Sequence, residues 1–565
     1  MLKKAIILFL FPFVIYSQTK VSQTEKYKQI GLVWGLLKYH HPDISRGMYN
    51  WDLELISFLD SINHIEEQEK LNTKLNSFIS KYNKATTKHK TISLKIDSEK
   101  IFRKNFNYDW IDEFAFTPEI KSKLTKLKNN GNIGDYYASS SKLTKMISFS
   151  NEKGFPNFNA KLKNHRLLEL YSYWNIIQYW NVNKYLTDIN WVDALDELIK
   201  NFVNANTIEE YEISKLNMFA LLNDSHSYKT STYFYESLFK YSPAFGIKII
   251  NDSLLVTSIY NKTLAENNNI NLGEIIVKIN NQNIPDYIKT NFSNLISVSN
   301  ETYLKHRLNR LILRNSSDSL KVHSLDKNGN LKETKLKLFK SFKIDGYKTL
   351  AKPEKTNWKK VSSKITYINL ANINSKEFSK VFKENENDDG IILDLRNYPR
   401  NLKLKDFSKH LFPEKKEFIK ILTPLDKAPS LGEYPASAPL KFISNPFEIG
   451  KRNSNYFKGK IILLVNRQTG SMAEYFGMAI QQSPNCITIG EQTMGAVMNI
   501  TSAILPDKQE FYFTGIGAFY PNGDMVQRKG LYIDYYIKES IKNYDSKLYI
   551  DKAIKIIKEN KHLQN

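Results

Sequence analysis

A serine hydroxyl acts as a nucleophile only where one group takes its proton and others stabilise the negative charge it creates on a carbonyl. The segment Val465-Asn466-Arg467-Gln468-Thr469-Gly470-Ser471-Met472-Ala473-Glu474 offers the second condition by pattern alone. The apolar run Lys460 to Val465 predicts a buried strand, a short turn with Gly470 follows, and Ala473, Phe476, Gly477 and Ile480 recur at the spacing of a packed helix. Ser471 then stands at a helix N-terminus, beside backbone N–H groups that lack intrahelical partners and where the helix dipole favours negative charge. The same residues have a second reading. Ser471-x-x-Glu474 is a capping box, in which serine and glutamate satisfy each other's backbone N–H groups and no chemistry follows.

Few other side chains compete for a chemical role. Leu221-Leu222-Asn223-Asp224-Ser225-His226-Ser227-Tyr228 holds a histidine whose ordinary pKa suits proton transfer near neutrality, and Asp224 beside it could equally satisfy a mere loop histidine. His40 and His41 are expected to be surface or packing residues, because no carboxylate or third histidine stands at metal-ligand spacing. No metal site and no cofactor is expected. The lone cysteine, Cys486, can form no internal disulfide and excludes zinc sites built on several thiolates.

The elements that position these residues fall into three stretches. With 565 residues the chain exceeds what one core can hold, and two to four domains are expected. Hydrophobic residues at 41% and charged residues at 25% exclude a mainly disordered chain. The net charge of +23 comes from lysines scattered along the whole length, which predicts a solvated basic surface and no nucleic-acid site. Met1-Leu2-Lys3-Lys4, the apolar run Ala5 to Tyr16 and the polar Ser17-Gln18 read as a secretory signal peptide over 1–17, too short to span a bilayer. The mature chain is expected to be exported, periplasmic or extracellular, and soluble.

Residues 18–241 carry helical periodicity and an internal repeat. Trp34, Tyr39 and Trp51 recur 140 positions later as Trp174, Tyr179 and Trp191, which predicts two related helical hairpins, each burying its tryptophans. From Phe245 short β-branched runs take over, Phe245–Ile250, Leu254–Ile259 and Glu274–Ile279, with a helix expected over 263–269. From Lys364 onward apolar strands alternate with helices: strands at Ile365–Leu370, Gly390–Arg396, Lys460–Val465 and Cys486–Gly490, and helices at Ser375–Glu384 and Lys547–Lys561. That order predicts an α/β core with a sheet buried on both faces and chemistry on the loops at the strand ends.

Several of these segments carry a family resemblance. Ser471-Met472-Ala473-Glu474, Gly490-Glu491-Gln492-Thr493-Met494-Gly495, the strand ending Asp394-Leu395-Arg396, and Tyr520-Pro521-Asn522-Gly523 with Gly530 to Asp534 resemble the core of the S41 serine peptidases, the tail-specific or C-terminal processing proteases. Residues 242–343 resemble a PDZ domain, with Ala244-Phe245-Gly246 in place of its carboxylate-binding loop. The resemblance implies a multidomain α/β protein: a helical N-terminal region (18–241), a PDZ-like small β-rich domain (242–343) and a catalytic core (344–565) of the ClpP/crotonase-like kind. It implies a serine endopeptidase acting on polypeptides through an acyl-enzyme. Ser471 is then the nucleophile and the Met472 backbone N–H an oxyanion donor, while Phe245, Gly246 and Ile247 hold peptide. A lysine base is excluded, because Ala496 stands where the Ser–Lys branch carries it. The tricorn-like branch instead implies His226 as general base and Ser225 as the residue that orients it. Gln527 stands where that branch has a glutamate. Pro399 interrupts the turn that supplies the second oxyanion donor, leaving the Tyr398 or Arg400 N–H in its place. The alternative is an inactive, peptide-binding descendant.

Overall fold

A computed structural model of the 565-residue chain describes residues 19–82, 101–102, 104–130, 134–141, 146–228, 232–340, 356–424, 431–433 and 447–559. The expected leader over 1–17 lies outside the described residues. No helix among the described residues is long and apolar enough to cross a membrane.

The N-terminal stretch is built on two helices, α1 (Gln23–His40) and α3 (Lys163–Trp180), with α2 (Trp51–Ser61), α4 (Ala194–Asn204) and α5 (Ile208–Ala220) packed around them. Both central helices are buried almost all round, from Lys26 to His40 and from Arg166 to Trp180, which marks them as the middle of a bundle. The repeat is geometrical as well as sequential. The Trp34 indole donates to the Trp51 carbonyl and the Trp51 indole to the Trp34 carbonyl, both at 3.1 Å. Trp174 and Trp191 make the same exchange, at 2.8 and 3.1 Å. A buried indole needs an acceptor, and each hairpin meets that need with a reciprocal pair.

The two central helices touch through glycine. Asn175 Nδ2 donates to the Gly31 carbonyl at 3.2 Å, and a Cβ on Gly35 would lie 1.7 Å from Asn175 Oδ1. Gly35→Ala is therefore expected to lower the unfolding midpoint, with a loss of about 1–3 kcal/mol from overpacking that outweighs the gain in helix propensity. Equilibrium denaturation checks this; an unchanged midpoint would mean the crossing opens freely.

The histidines of the first repeat take the packing alternative of the two expected. His40 and His41 are both buried at 2% exposure, so they pack and do not lie on the surface. His40 Nε2 lies 3.0 Å from the Tyr108 hydroxyl, and burial pushes its pKa down to about 3. The solvated-lysine expectation also has exceptions, since Lys26, Lys28, Lys38, Lys184 and Lys215 are buried.

The second stretch is an antiparallel sheet of β1 (Phe245–Ile250), β2 (Ser253–Ile259), β3 (Ile275–Ile279), β4 (Ser319–Leu325) and β5 (Leu331–Lys337), in the order β5-β4-β3-β2-β1. Helices Ile284–Asn291 and Glu301–Leu308 accompany it, and the helix expected over 263–269 is the shorter Lys262–Glu266. β1 is an edge strand.

The third stretch orders β6 (Trp358–Ser362), β7 (Ile365–Asn369), β8 (Gly390–Asp394), β9 (Lys460–Val465) and β10 (Cys486–Gly490) side by side, closed by Tyr535–Tyr536. β7 to β10 run parallel, and their alternate residues serve two cores. Ile391, Leu393, Ile461 and Leu463 face α6 (Ser375–Glu384) and α7 (Met472–Ile480), while Ile392, Ile462 and Leu464 face α8 (Ser546–Glu559). This is the doubly covered parallel sheet that the apolar strands predict. One piece departs from it. The hairpin of β11 (Ile500–Ile504) and β12 (Glu510–Thr514) inserts Ala503, Leu505, Phe511 and Phe513 into the core of the N-terminal helices. The Phe511 ring lies 4.9 Å from that of Tyr173.

Candidate active site

Ser471 occupies the turn between β9 and α7, beyond the carboxyl end of a central strand. The Thr469 hydroxyl ties this turn to the neighbouring strand through the Leu395 carbonyl at 3.0 Å. Gly470 packs so tightly that a Cβ would meet Met494 Sδ at 2.3 Å. Ser471 itself has φ 55° and ψ −121°, a region that costs a non-glycine residue of order 1–3 kcal/mol. Such strain persists only where surrounding contacts impose it.

The capping box is not formed. The Ser471 side chain makes no cap bond, and its hydroxyl reaches the Met498 carbonyl at 3.5 Å. The Glu474 carboxylate is fully buried and accepts from the Thr493 hydroxyl at 2.5 Å, Gly495 N–H at 2.7 Å and Ala496 N–H at 3.0 Å. Burial outweighs these donors and lifts its pKa to about 7. Glu474 thus anchors the segment Thr493–Met498 beneath the serine, and Ser471 N–H donates to the Ala496 carbonyl at 2.9 Å. Ala473 N–H is used on Gly470 and Tyr475 N–H on Ser471, whereas Met472 N–H has no backbone acceptor among the described residues.

The second half of the site forms where α5 ends. Asn223 turns the chain with φ 51°, and the following residues are stitched to 297–299. Asp224 N–H donates to Ser297 Oγ at 3.0 Å, Ser225 N–H to Ser299 Oγ at 2.9 Å, and Ser299 N–H to Ser225 Oγ at 2.8 Å. His226 is buried at 2% exposure, with Nδ1 2.8 Å from Thr514 Oγ1. The Thr514 hydroxyl donates to Asp224 Oδ1 at 2.9 Å, and Thr514 N–H donates to Asp224 Oδ2 at 2.6 Å.

This chain of bonds assigns the tautomer. A carboxylate only accepts, so the Thr514 proton is committed to Asp224 and the threonine oxygen offers His226 a lone pair. Nδ1 carries the imidazole proton, and Nε2 is left with a lone pair, buried and without a partner among the described residues. Desolvation lowers the pKa of His226 below the ordinary histidine value, and the Asp224 charge opposes that shift only in part.

The predicted residues are only partly brought together. Ser225 does not orient the imidazole: its hydroxyl accepts from Ser299 and faces the Met494 carbonyl at 3.4 Å, and Thr514 holds the ring instead. The shared strip 494–498 links both halves, since Met494 meets Ser225 while Ala496 and Met498 meet Ser471. No hydrogen bond joins the Ser471 hydroxyl to His226 among the described residues. Gln527 is buried and its Nε2 faces Asp224 Oδ1 at 3.4 Å, so it touches the carboxylate and not a serine hydroxyl. Tyr398 lies exposed in the loop after β8.

Phe245 and Ile247 line a small cavity on β1 together with Tyr260, Arg310 and Leu313, and a Cβ on Gly246 would lie 2.3 Å from the Tyr260 hydroxyl. The outward edge of β1 is partly occupied already. Ile249 N–H donates to Asn309 Oδ1 at 2.8 Å, and its carbonyl accepts from Arg467 at 3.4 Å. Arg467 also pairs with Glu491 and, at 3.4 Å, with Glu539, which holds Lys248 of the same strand at 2.5 Å. The turn that carries Ser471 is therefore wired to this edge strand.

Thr514 is the functional candidate that the sequence does not reveal. It ends an alternating strand, and nothing local marks a contact with a histidine 288 positions earlier.

Residues 413–537 match the model of Peptidase family S41. Among solved structures, mature CPAF in complex with lactacystin is similar at a TM-score of 0.54 and 11% identity, over 70% of this chain and 98% of that one. Mature CPAF alone gives 0.53 and 12%, over 70% and 96%. The tricorn protease, 18% identical, gives 0.31 over 71% of this chain and 37% of its own. At these identities the CPAF likeness is one of fold, and the tricorn likeness is too remote to assign a branch. No match was found among curated proteins.

Proposed function

We propose, from the match of residues 413–537 to the model of Peptidase family S41, that this chain is a serine-type peptidase that hydrolyses polypeptides with Ser471 as nucleophile and His226 as general base. The observation that carries this reading is the state of His226: a buried imidazole whose Nδ1 proton is engaged by Thr514 and Asp224, leaving Nε2 as a bare base. His40, which packs, also leaves one ring nitrogen without a side-chain partner, and what sets His226 apart is the Thr514–Asp224 relay on its other nitrogen.

In the reaction, the Ser471 hydroxyl leaves its long contact with the Met498 carbonyl and turns to Nε2, a bond that tightens when substrate is seated. Nε2 takes the proton as Oγ bonds to the scissile carbonyl carbon. The oxyanion faces the helix N-terminus and Met472 N–H, with Tyr398 N–H as the second donor. The imidazolium then protonates the departing amine, and the C–N bond breaks to leave an acyl-serine. Water, giving its proton to Nε2, releases the acid and restores the serine. Asp224, acting through Thr514, stabilises the imidazolium and keeps the ring in its orientation. Gln527 supplies no charge, and none is needed there with Asp224 in place.

The sheet β1–β5 acts as the PDZ-like module (242–343). An extended peptide adds to the β1 edge with side chains over Phe245, Gly246 and Ile247, displacing the Asn309 and Arg467 contacts to Ile249. The helical region (18–241) and the core (344–565) flank it, the core being of the ClpP/crotonase-like kind. The leader over 1–17 directs export.

The test is reaction of the full chain with a serine-directed fluorophosphonate, followed against pH. A base must be neutral to act, and desolvation holds His226 below its ordinary value of 6.5. The protonated, inactive form accumulates only below that lowered pKa, so the acid limb of the rate profile is expected to fall below pH 6.5. A limb centred above it would contradict a buried neutral base.

A further inference from the structure

Among the described residues, buried lysines are paired, with one exception. Lys26 donates to the Ile65 carbonyl at 2.9 Å, Lys28 meets Asp196 at 2.9 Å, Lys38 meets Glu152 at 2.8 Å, and Lys215 meets Asp507. Lys184 is as buried as these, at 6% exposure, and has no partner among the described residues. It lines an open cavity of about 290 Å³ together with Lys104, Asn105, Thr187, Asp188 and Asn190. The one acid on that wall, Asp188, is already paired with Arg528 at 2.7 Å. An ammonium group desolvated in this way favours an anion. Burial alone pulls its pKa down to about 7.

The internal repeat shows that packing does not call for this lysine. The short 3-10 turn Lys184–Leu186 follows α3 as Ile44–Arg46 follows α1, at the same offset of 140 positions. Ile44 occupies the matching place and is fully buried. One copy of the hairpin therefore fills this position with a hydrocarbon, and the other directs a cation into a cavity.

The cavity also adjoins the reacting centre. Asp188 N–H donates to Asn223 Oδ1 at 2.9 Å, three residues before His226, and Arg528, next to Gln527, donates to the Leu186 carbonyl. We propose that the Lys184 cavity binds a carboxylate of the polypeptide substrate, from an acidic side chain or from the chain terminus, and so selects carboxylate-bearing peptides. This rests on the peptidase reading only in taking the ligand to be the substrate.

The experiment separates the two. Full-length Ser471→Ala protein is titrated, by fluorescence anisotropy, with one labelled peptide in four forms: Glu or Gln at a single internal position, each with a free or an amidated terminus. One carboxylate is expected to tighten binding about tenfold or more over its neutral counterpart, and which one identifies the source. Lys184→Ile, which installs the residue of the first repeat, is expected to abolish that preference. Equal binding of all four forms, or a preference that survives Lys184→Ile, overturns the proposal, whereas failure of the peptidase reading would appear separately as absent fluorophosphonate labelling. If Lys184→Ile does not fold, the unaltered lysine decides the matter. Mass spectrometry is expected to find its acylation by an amine reagent slowed several-fold by the preferred peptide, and an unchanged rate refutes it.

Discussion

Ser471→Ala is expected to abolish fluorophosphonate labelling and to lower turnover of an unfolded polypeptide by roughly a thousandfold or more, with little change in KM. His226→Ala is expected to cost nearly as much, and the double variant scarcely more than either, because nucleophile and base act as one unit. That non-additivity is the informative part. If the two losses multiplied, the side chains would be acting separately, and an adduct retained in Ser471→Ala would place the nucleophile elsewhere. Neither change is expected to unfold the protein. Ser471 is held in a strained backbone conformation by Gly470, Ala496 and α7 and not by its own hydroxyl, whose one hydrogen bond among the described residues is long, at 3.5 Å.

The second large effect concerns groups that never touch substrate. Asp224→Asn is expected to reduce kcat by about a hundredfold to ten-thousandfold, as does loss of the carboxylate behind a catalytic imidazole in serine hydrolases generally. An amide at this place can donate to Thr514, which would turn the threonine hydroxyl toward Nδ1 and move the ring proton to Nε2, the wrong nitrogen for a base. The pH profile distinguishes this from simple damage. The Asp224 charge raises the pKa of His226 against the larger effect of burial. Its removal lowers that pKa further, so the acid limb is expected to shift to still lower pH while kcat falls. Thr514→Val keeps the shape and removes the relay, and is expected to lower kcat with KM nearly unchanged. An acid limb that stays in place in both variants would show that Asp224 and Thr514 support the loop without tuning the base.

Glu474 illustrates how a local pattern misleads. Ser471-x-x-Glu474 has the residues of a capping box, yet the carboxylate turns inward to bind Thr493, Gly495 and Ala496. The pattern registers only the serine and the helix start. It carries no information about the strip 493–498, which brings three competing donors and fully buries the acid. His226 was legible as a candidate because a histidine suits proton transfer, but its orienting partner was not. Ser225, adjacent in sequence, is consumed by Ser299, whereas Thr514 arrives on a hairpin nearly three hundred positions later that inserts into the same helical core as the end of α5.

The sequence by itself determined the periodic features: the helical repeat at an offset of 140, the buried parallel strands, and a serine at the start of a helix. These depend on residues three, four or a fixed interval apart, so a linear chain records them. Tertiary structure alone decided which nitrogen of His226 is left bare, which hydroxyl steadies the ring, and which buried lysine is left without a partner among the described residues. Each of those follows from directional bonds, or their absence, between atoms that only folding brings within 3 Å, and such contacts leave no spacing in the chain from which to infer them.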